Sequence, residues 1–239
     1  MCSKRTSDKV QHVMHLLQHS LYFFLEGDLS RDNVTRRGSV KRQAILEGAR
    51  EVFGRDGYSR ASIDAIAKVA EVSTRTIYNH FTDKDELFRA VILESAEQVR
   101  ERQLADLERH LGKVVDLESD LIALGLAFTT VMPQFGAHFA LVRQIQAEIG
   151  HIPEDVLVAW QETGPQPVQA GLARRLAELD ERGLLDVEDP NRAARHFVAL
   201  VGSEVQSRTY SGALPIDEAA REEIVTAGVR TFLRAYGLR

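Results

Sequence analysis

The stretch Ser62–Phe81, SIDAIAKVAEVSTRTIYNHF, decides the fold of this protein. Its apolar residues recur at helical spacing on both sides of a short break at Glu71-Val72. Ser62 and Ser73 stand where the N-caps of two short helices belong. The pattern predicts a helix-turn-helix, whose second helix, roughly residues 74–79, would lie in a DNA major groove.

The polar residues of this stretch suit contact with DNA. Arg75 can form a bidentate contact with guanine, and the other polar residues of the second helix offer hydrogen bonds to bases or phosphates. Lys84 is a cation in the first turn of the next helix, where it opposes the helix dipole. A nearby phosphate would account for this position, and so would plain solvation between Asp83 and Asp85.

Helical periodicity extends outward from this stretch, from residue 39 to the C-terminus, without the alternating runs typical of strands. The helix before it has Ser39 as a plausible N-cap and Gly57 as a plausible stop. Thr82 opens a long helix that runs past Leu104, and further helices follow, one of them interrupted at residues 164–167. The sequence therefore predicts an all-α protein.

Composition and charge narrow the class of protein. The chain has 239 residues, of which 44% are hydrophobic and 27% charged, which excludes wholesale disorder. A single cysteine, Cys2, excludes a disulfide framework and a cysteine-based zinc site. No apolar run is long enough for a membrane span, and we find no signal peptide, so we expect a cytoplasmic protein that does not bind a membrane.

The net charge of −5 conceals an asymmetry along the chain. Residues 34–90 carry a charge of +3, whereas residues 91–239 carry −8. A cationic module joined to an anionic one indicates that only the first meets a polyanion.

Further pieces fall at fixed spacings around the opening stretch. They are Ala44-Ile45-Leu46, Val52-Phe53, Gly57-Tyr58, Ser62-Ile63, Ile66-Ala67, Val72-Ser73, Thr76-Ile77-Tyr78-Asn79-His80-Phe81 and Lys84-Asp85-Glu86-Leu87. Together they make the span from Arg42 to Val91 resemble the DNA-binding domain of the TetR family of bacterial transcriptional regulators. One position departs, because Glu71 stands in the turn where the family usually has glycine. A left-handed residue other than glycine costs on the order of 1 kcal/mol.

The resemblance implies which residues contact DNA. The candidates are Ser62, Ser73, Thr74, Arg75, Thr76, Tyr78, Asn79, His80 and Lys84. Among them Tyr78 and Lys84 would clamp phosphates and Arg75 would read a base, whereas Ile77 and Phe81 would hold the core.

The resemblance also implies a domain plan. We expect a flexible N-terminal extension at residues 1–37, a three-helix helix-turn-helix domain at residues 38–98, and a helical effector-binding and dimerisation domain at residues 99–239. The C-terminal part looks similar to the AefR-like subgroup. An unknown effector of apolar or amphipathic character is expected there. Its candidate ligand-binding residues, which at helical spacing would serve equally as core, are Phe128, Met132, Phe135, Phe139 and Trp160. Possible polar anchors are His138, Gln144 and Gln161.

The two terminal helices carry apolar stripes that suggest an interface between two subunits. One stripe consists of Phe197, Val198, Val201 and Val205, and the other of Ile224, Val229 and Phe232. A homodimer with two-fold symmetry predicts a palindromic operator in double-stranded DNA. We therefore expect a sequence-specific regulator, a repressor by family resemblance, whose effector shifts the population away from the DNA-binding state.

Two other classes of function stay open at this point. A DNA-binding or recruiting module that needs no effector would share the same N-terminal motif. An enzyme is disfavoured, because we find no catalytic motif, no phosphate loop and no paired metal ligands, and we expect no cofactor. His12, His15 and His19 share a helical face, yet no acidic or sulfur partner sits at the right offset for a metal. Residues 1–33 would then form a helix that docks on the partner, or a segment absent from the native translation product.

Overall fold

The computed structural model describes residues 38–130 and 136–238 of the chain. Its helices are α1 (residues 38–60), α2 (Ile63–Val69), α3 (Thr74–Tyr78), α4 (Lys84–Leu111), α5 (Leu117–Thr129), α6 (Gly136–Ala147), α7 (Glu154–Thr163), α8 (Pro165–Glu181), α9 (Pro190–Thr209) and α10 (Glu218–Tyr236). A 3₁₀ turn, Ile149–His151, precedes α7. Within the described ranges, the β-type pairing is limited to an isolated bridge between Leu185 and Gly237. The predicted all-α class is confirmed.

The N-terminal extension, including Cys2 and the three histidines on one helical face, lies outside the described residues. Residues from Leu46 onward form one compact unit, and every contact described below lies within it.

The ends of α1 differ from the prediction. The helix already includes residue 38, so Ser39 is inside it and is not its N-cap. Helical hydrogen bonding continues to residue 60, but Gly57 has φ of 82° and so leaves the right-handed helical region. Glycine adopts this conformation without a steric penalty, so α1 accommodates Gly57 and continues three residues beyond the predicted stop.

The long helix α4 begins with a cap one residue later than predicted. Asp83, not Thr82, is the N-cap, and its side chain accepts a hydrogen bond from the backbone N–H of Glu86. The carboxylate of Glu86 in turn accepts from the backbone N–H and the hydroxyl of Thr82. These reciprocal bonds satisfy donors that the helix cannot pair internally, as in a capping box.

The break predicted at residues 164–167 is shorter in the structure. Gly164 alone separates α7 from α8, and Pro165 already occupies the first turn of α8, where a missing N–H removes no helical bond. The interruption is therefore confirmed in place but not in length.

The C-terminal core is built where α9 packs between α8 and α10, and α5 packs against α9 and α10. Leu172, Leu176, Phe197 and Phe232 are fully buried in it, and the rings of Phe197 and Phe232 meet edge to face at 5.4 Å between centroids. Aromatic pairs prefer this arrangement.

This core corrects the assignment of the two apolar stripes. We expected them to face a second subunit, but most of their members are buried inside the protomer. The buried members are Phe197, Val201, Val205, Ile224, Val229 and Phe232. Of the named stripe residues, Val198 alone is exposed, with 42% of its surface accessible. The stripes satisfy the core of one chain, so they are not evidence for dimerisation.

Close backbone approach at Gly228 sets the distance between α9 and α10. A Cβ atom at this position would lie 2.8 Å from the carbonyl carbon of Leu200 and 3.1 Å from the backbone nitrogen of Val201. Gly48 in α1 has a similar role, because a Cβ there would lie 2.9 Å from the backbone nitrogen of Ala70. Backbone atoms cannot rotate aside as flexible side chains do, so both helix crossings require glycine.

Candidate nucleic-acid interface and C-terminal cavity

The turn between α2 and α3 is tight. Glu71 has φ of 52°, in the left-handed region, and the backbone N–H of Val72 donates to the carbonyl of Ala67 at 3.0 Å. The sequence left the geometry of this turn open, because Glu71 stands where glycine is usual, and the structure places Glu71 in the left-handed region. Ala67 and Ala70 are buried behind this turn.

The two predicted serine caps are present. Ser62 accepts a hydrogen bond from the backbone N–H of Ala65, and Ser73 accepts one from Thr76 at 3.1 Å. The hydroxyls of Ser73 and Thr76 also share a hydrogen bond of 2.8 Å. Ser73 and Thr76 therefore hold each other and the start of α3 in place.

The outward face of α3 is polar and exposed. Arg75, Tyr78 and Asn79 are exposed, and Tyr78 has 55% of its surface accessible. Ile77 and Phe81 are buried on the opposite side, as predicted for core residues. Thr74 is half-buried at the start of the helix, and His80 is half-buried two residues beyond its end. The short helix thus has one face anchored in the core and one open for contact.

A cluster at the start of α4 accounts for the position of Lys84. Its ammonium donates to the carbonyl oxygen of Tyr58 at 3.0 Å and lies 4.6 Å from the centroid of the Tyr58 ring. The hydroxyl of Tyr58 donates to Asp85, and burial together with this carboxylate raises the pKa of Tyr58 to about 12. Lys84 therefore has partners within the protein, an explanation that the sequence did not suggest.

A cavity of about 490 Å³ opens among the C-terminal helices. Three candidate ligand-binding residues, Phe128, Phe139 and Trp160, line it. Two others, Met132 and Phe135, lie outside the described residues. Such a volume accommodates a small organic ligand.

Of the three candidate polar anchors, one lines the cavity. His138 lines the cavity, whereas Gln144 and Gln161 are absent from its described lining. The Gln144 side chain instead lies close to Gly57. The sequence spacing could not separate these three residues, because each occupies a helix with several polar faces.

His138 is held neutral inside the protein. Its Nδ1 shares a hydrogen bond of 2.8 Å with the hydroxyl of Ser95 on α4. Burial, and secondarily the positive charge of Arg50, lowers the pKa of His138 to about 4. Arg50 on α1 also lies 3.7 Å from the carboxylate of Glu94, the neighbour of Ser95. A chain of polar contacts thus runs from the cavity wall through α4 to α1.

Two further contacts join the helix-turn-helix region to the C-terminal helices. Glu148, just after α6, accepts a hydrogen bond of 2.8 Å from the backbone N–H of Ser59, in the last turn of α1. Arg89 on α4 pairs with Asp155 on α7. Sequence reasoning missed both pairs, because the partners are 89 and 66 residues apart and no local pattern marks them.

Comparison with known families identifies the same two regions. The model of "Bacterial regulatory proteins, tetR family" matches residues 45–91, and that of "AefR-like transcriptional repressor, C-terminal domain" matches residues 119–238.

Curated relatives agree with these matches. The HTH-type transcriptional repressor AcnR of Corynebacterium efficiens is 40% identical over 168 residues, covering 62% of this chain and 88% of AcnR. The HTH-type transcriptional regulator UidR of Escherichia coli is 38% identical over 71 residues, which cover 30% of this chain. That alignment spans only 36% of the length of UidR.

Solved structures share the architecture. A TetR-family regulator from Mesorhizobium loti superposes with a TM-score of 0.74 at 28% identity, covering 84% of this chain and 99% of that one. The flavonoid-responsive regulator FrrA gives a TM-score of 0.63 at 28% identity, covering 83% and 98%. Among the residues described here, no helix is both long and apolar enough to cross a bilayer.

Proposed function

The chain belongs to the TetR family of helix-turn-helix transcriptional regulators, and on that premise we propose that it is a homodimeric repressor released from a palindromic operator by a small molecule. DNA binding and transcriptional regulation follow from the family. The proposal adds the symmetry of the operator, the dimer, the sign of control and the effector. The protein would act without catalytic residues or a cofactor.

The observation that carries the proposal is the exposed polar face of α3 backed by buried Ile77 and Phe81. A recognition helix must be rigidly seated and free on one side to enter the major groove. Arg75 would read guanine, and Tyr78 would contact a phosphate. The remaining proposed contacts are Ser62, Ser73, Thr74, Thr76, Asn79, His80 and Lys84.

Family membership supports a dimer with a two-fold axis. Two recognition helices related by that axis would require two inverted half-sites.

The cavity supports release by an effector. Its wall includes His138, which is bonded to Ser95 on α4, and Ala96, one residue further along the same helix. A ligand that moves α4 would act on the Arg50–Glu94 and Arg89–Asp155 contacts, which α4 makes through Glu94 and Arg89. The effector would then favour one of two populations and the operator the other. FrrA, a flavonoid-responsive regulator, supports a small organic effector for this architecture.

The test is to incubate the full chain with fragmented DNA from its own genome near physiological salt and to sequence what is retained. A few retained fragments that share a palindrome would support the proposal. Uniform retention that disappears with modest added salt would mean phosphate contacts alone and would contradict it.

A further inference from the structure

The charge of the cavity wall is opposite to that of the region around it. Residues 91–239 carry a net charge of −8, yet no aspartate or glutamate is among the described residues that line the cavity. Two arginines, Arg100 and Arg195, are among them. His138 adds no charge at neutral pH, because burial lowers its pKa to about 4. The wall is therefore cationic within an anionic domain.

Trp160, one of the residues that line the cavity, carries a buried donor without an acceptor among the described residues. The indole Nε1–H of Trp160 is buried and has no hydrogen-bond partner in the part of the chain that the structure describes. A buried donor that stays unpaired costs about 1–3 kcal/mol. An acceptor atom on a ligand in the cavity would remove this cost.

Arg100 lies on the same wall as this donor. One of its nitrogens donates to the carbonyl of Thr163, three residues after Trp160 in α7, at 3.1 Å. A second pairs with Glu97, which is exposed and does not line the cavity. A guanidinium has five N–H donors, so Arg100 keeps donors available for a ligand.

Arg195 supplies a second cation from the α9 side. It is exposed, and its positive charge, after a hydrogen bond from the backbone N–H of Arg192, is one of the causes that lower the pKa of Asp189. Apolar side chains occupy the space between, with Phe128, Phe139 and Leu172 among them. The cavity thus combines an apolar body with arginine donors at its edges.

We propose that the effector is an amphipathic organic anion, with an aromatic or acyl body and a carboxylate or equally acidic oxygen that accepts from Trp160 and pairs with the arginines. This inference rests on the proposed role of the cavity as the effector site. Charged hydrogen bonds of this kind are stronger than neutral ones. The wall would reject organic cations, which would find no carboxylate there.

Trp160 allows a direct test, because it is the sole tryptophan of the chain and lines the cavity. Its fluorescence, excited at a wavelength where a phenyl ring is silent, would follow titration with 6-phenylhexanoate, 6-phenylhexan-1-ol and 6-phenylhexylammonium at neutral pH. The three probes share one body and differ only in the charge of the head. We expect the carboxylate to bind about tenfold more tightly than the alcohol, and the ammonium to bind most weakly.

Matched variants identify the residues that cause the preference for the carboxylate over the alcohol. Arg195→Gln should reduce the preference for the carboxylate over the alcohol by about threefold or more, while the affinity for the alcohol stays the same. Arg192→Gln is the control, because Arg192 lies one turn earlier on α9, is exposed, and does not line the cavity. Trp160→Phe keeps a ring but removes the N–H, and calorimetry should show weaker carboxylate binding for it.

The outcomes separate this inference from the proposed function. Equal affinities for the three probes, or tightest binding of the ammonium, would overturn the anion inference and leave an effector cavity. Absence of binding by all three would overturn both the inference and the effector role of the cavity. DNA binding through α3 would stand in either case, because the experiment contains no DNA.

Discussion

The helix-turn-helix and the C-terminal cavity place their polar residues in opposite ways. On α3 these residues face outward from a short helix. The cap formed by Ser73 and the burial of Ile77 fix the position of this helix. Around the cavity the polar residues face inward from helices that span more than 100 residues of the chain. The outward face of α3 depends on interactions between residues that are close in sequence and on a small core. The cavity depends on how closely whole helices approach each other, so it should be more sensitive to changes in packing.

Gly228→Ala should give the largest effect. The new Cβ would press on the backbone of Leu200 and Val201, which cannot move without separating α9 from α10. We expect a loss of about 2–4 kcal/mol in the free energy of unfolding, even though alanine is the better helix former. Denaturant unfolding followed by circular dichroism would measure it.

Gly202→Ala is the matched control. It lies on α9, and a Cβ there would meet no atom within 4 Å. Helix propensity alone then acts and should stabilise the protein slightly. Equal effects of the two changes would show that close approach at position 228 does not determine the packing.

Arg75→Ala tests the outward surface. Loss of a bidentate contact with guanine typically costs about 1–3 kcal/mol, so affinity for the operator should fall about 10- to 100-fold. Stability should not change, because Arg75 is exposed. Fluorescence anisotropy on a fragment recovered from the genome would report the affinity.

Arg182→Ala provides the comparison for charge alone, since Arg182 is an exposed residue at the end of α8, outside the helix-turn-helix. It should bind DNA almost as the unmodified protein does. If both variants lost affinity equally, Arg75 would be acting through net charge and not through base contact.

Acid should weaken the cavity region through His138. Its folded pKa of about 4 lies below the ordinary value of 6.5, so between these values the unfolded chain binds a proton that the folded chain does not. Stability is therefore full above pH 6.5 and declines as the pH falls toward 4. From pH 7.5 to pH 5 the loss should be about 1–2 kcal/mol.

Urea unfolding at these two pH values would measure the loss. His138→Asn keeps a group able to hydrogen-bond Ser95 but does not titrate, so its stability should depend less on pH. If the free energy of unfolding of that variant fell by the same amount between the two pH values, the acid sensitivity would come from other groups.

Glu71→Gly should give the smallest effect, and of opposite sign. Glycine removes the strain of a left-handed backbone at position 71. We expect a gain of at most about 1 kcal/mol, with operator affinity unchanged if the turn keeps its geometry. A loss of stability on thermal unfolding would mean that the glutamate side chain contributes more than its backbone costs.

Much of the helix-turn-helix could be predicted because its determinants are close in sequence. Ser62 and Ser73 were identified as caps from short local patterns, and the family resemblance placed Ile77 in the core. The cap of α4 was misplaced by one residue, because Thr82 and Asp83 are both good capping residues and only the geometry of Glu86 distinguishes them.

The C-terminal region could be predicted only in outline. Helical periodicity identifies an apolar stripe but not what covers it, and Phe197 and Val201 were therefore assigned to a partner when α8 and α10 of the same chain cover them. Arg100 and Arg195 were missed as cavity residues, since an arginine on an amphipathic helix usually indicates a solvated face. The cationic wall arises only when α4 and α9 are brought together.

The Ser59–Glu148 and Arg89–Asp155 contacts bear on the construction of hybrid regulators. DNA-reading segments could be exchanged between relatives to redirect a sensor to a new promoter, and the junction would usually be cut within the long connecting helix. In this protein such a graft would bring in foreign residues opposite Asp155 and Glu148. A hybrid that also transplants the matching partners from the donor should be more stable than one joined by sequence alignment alone.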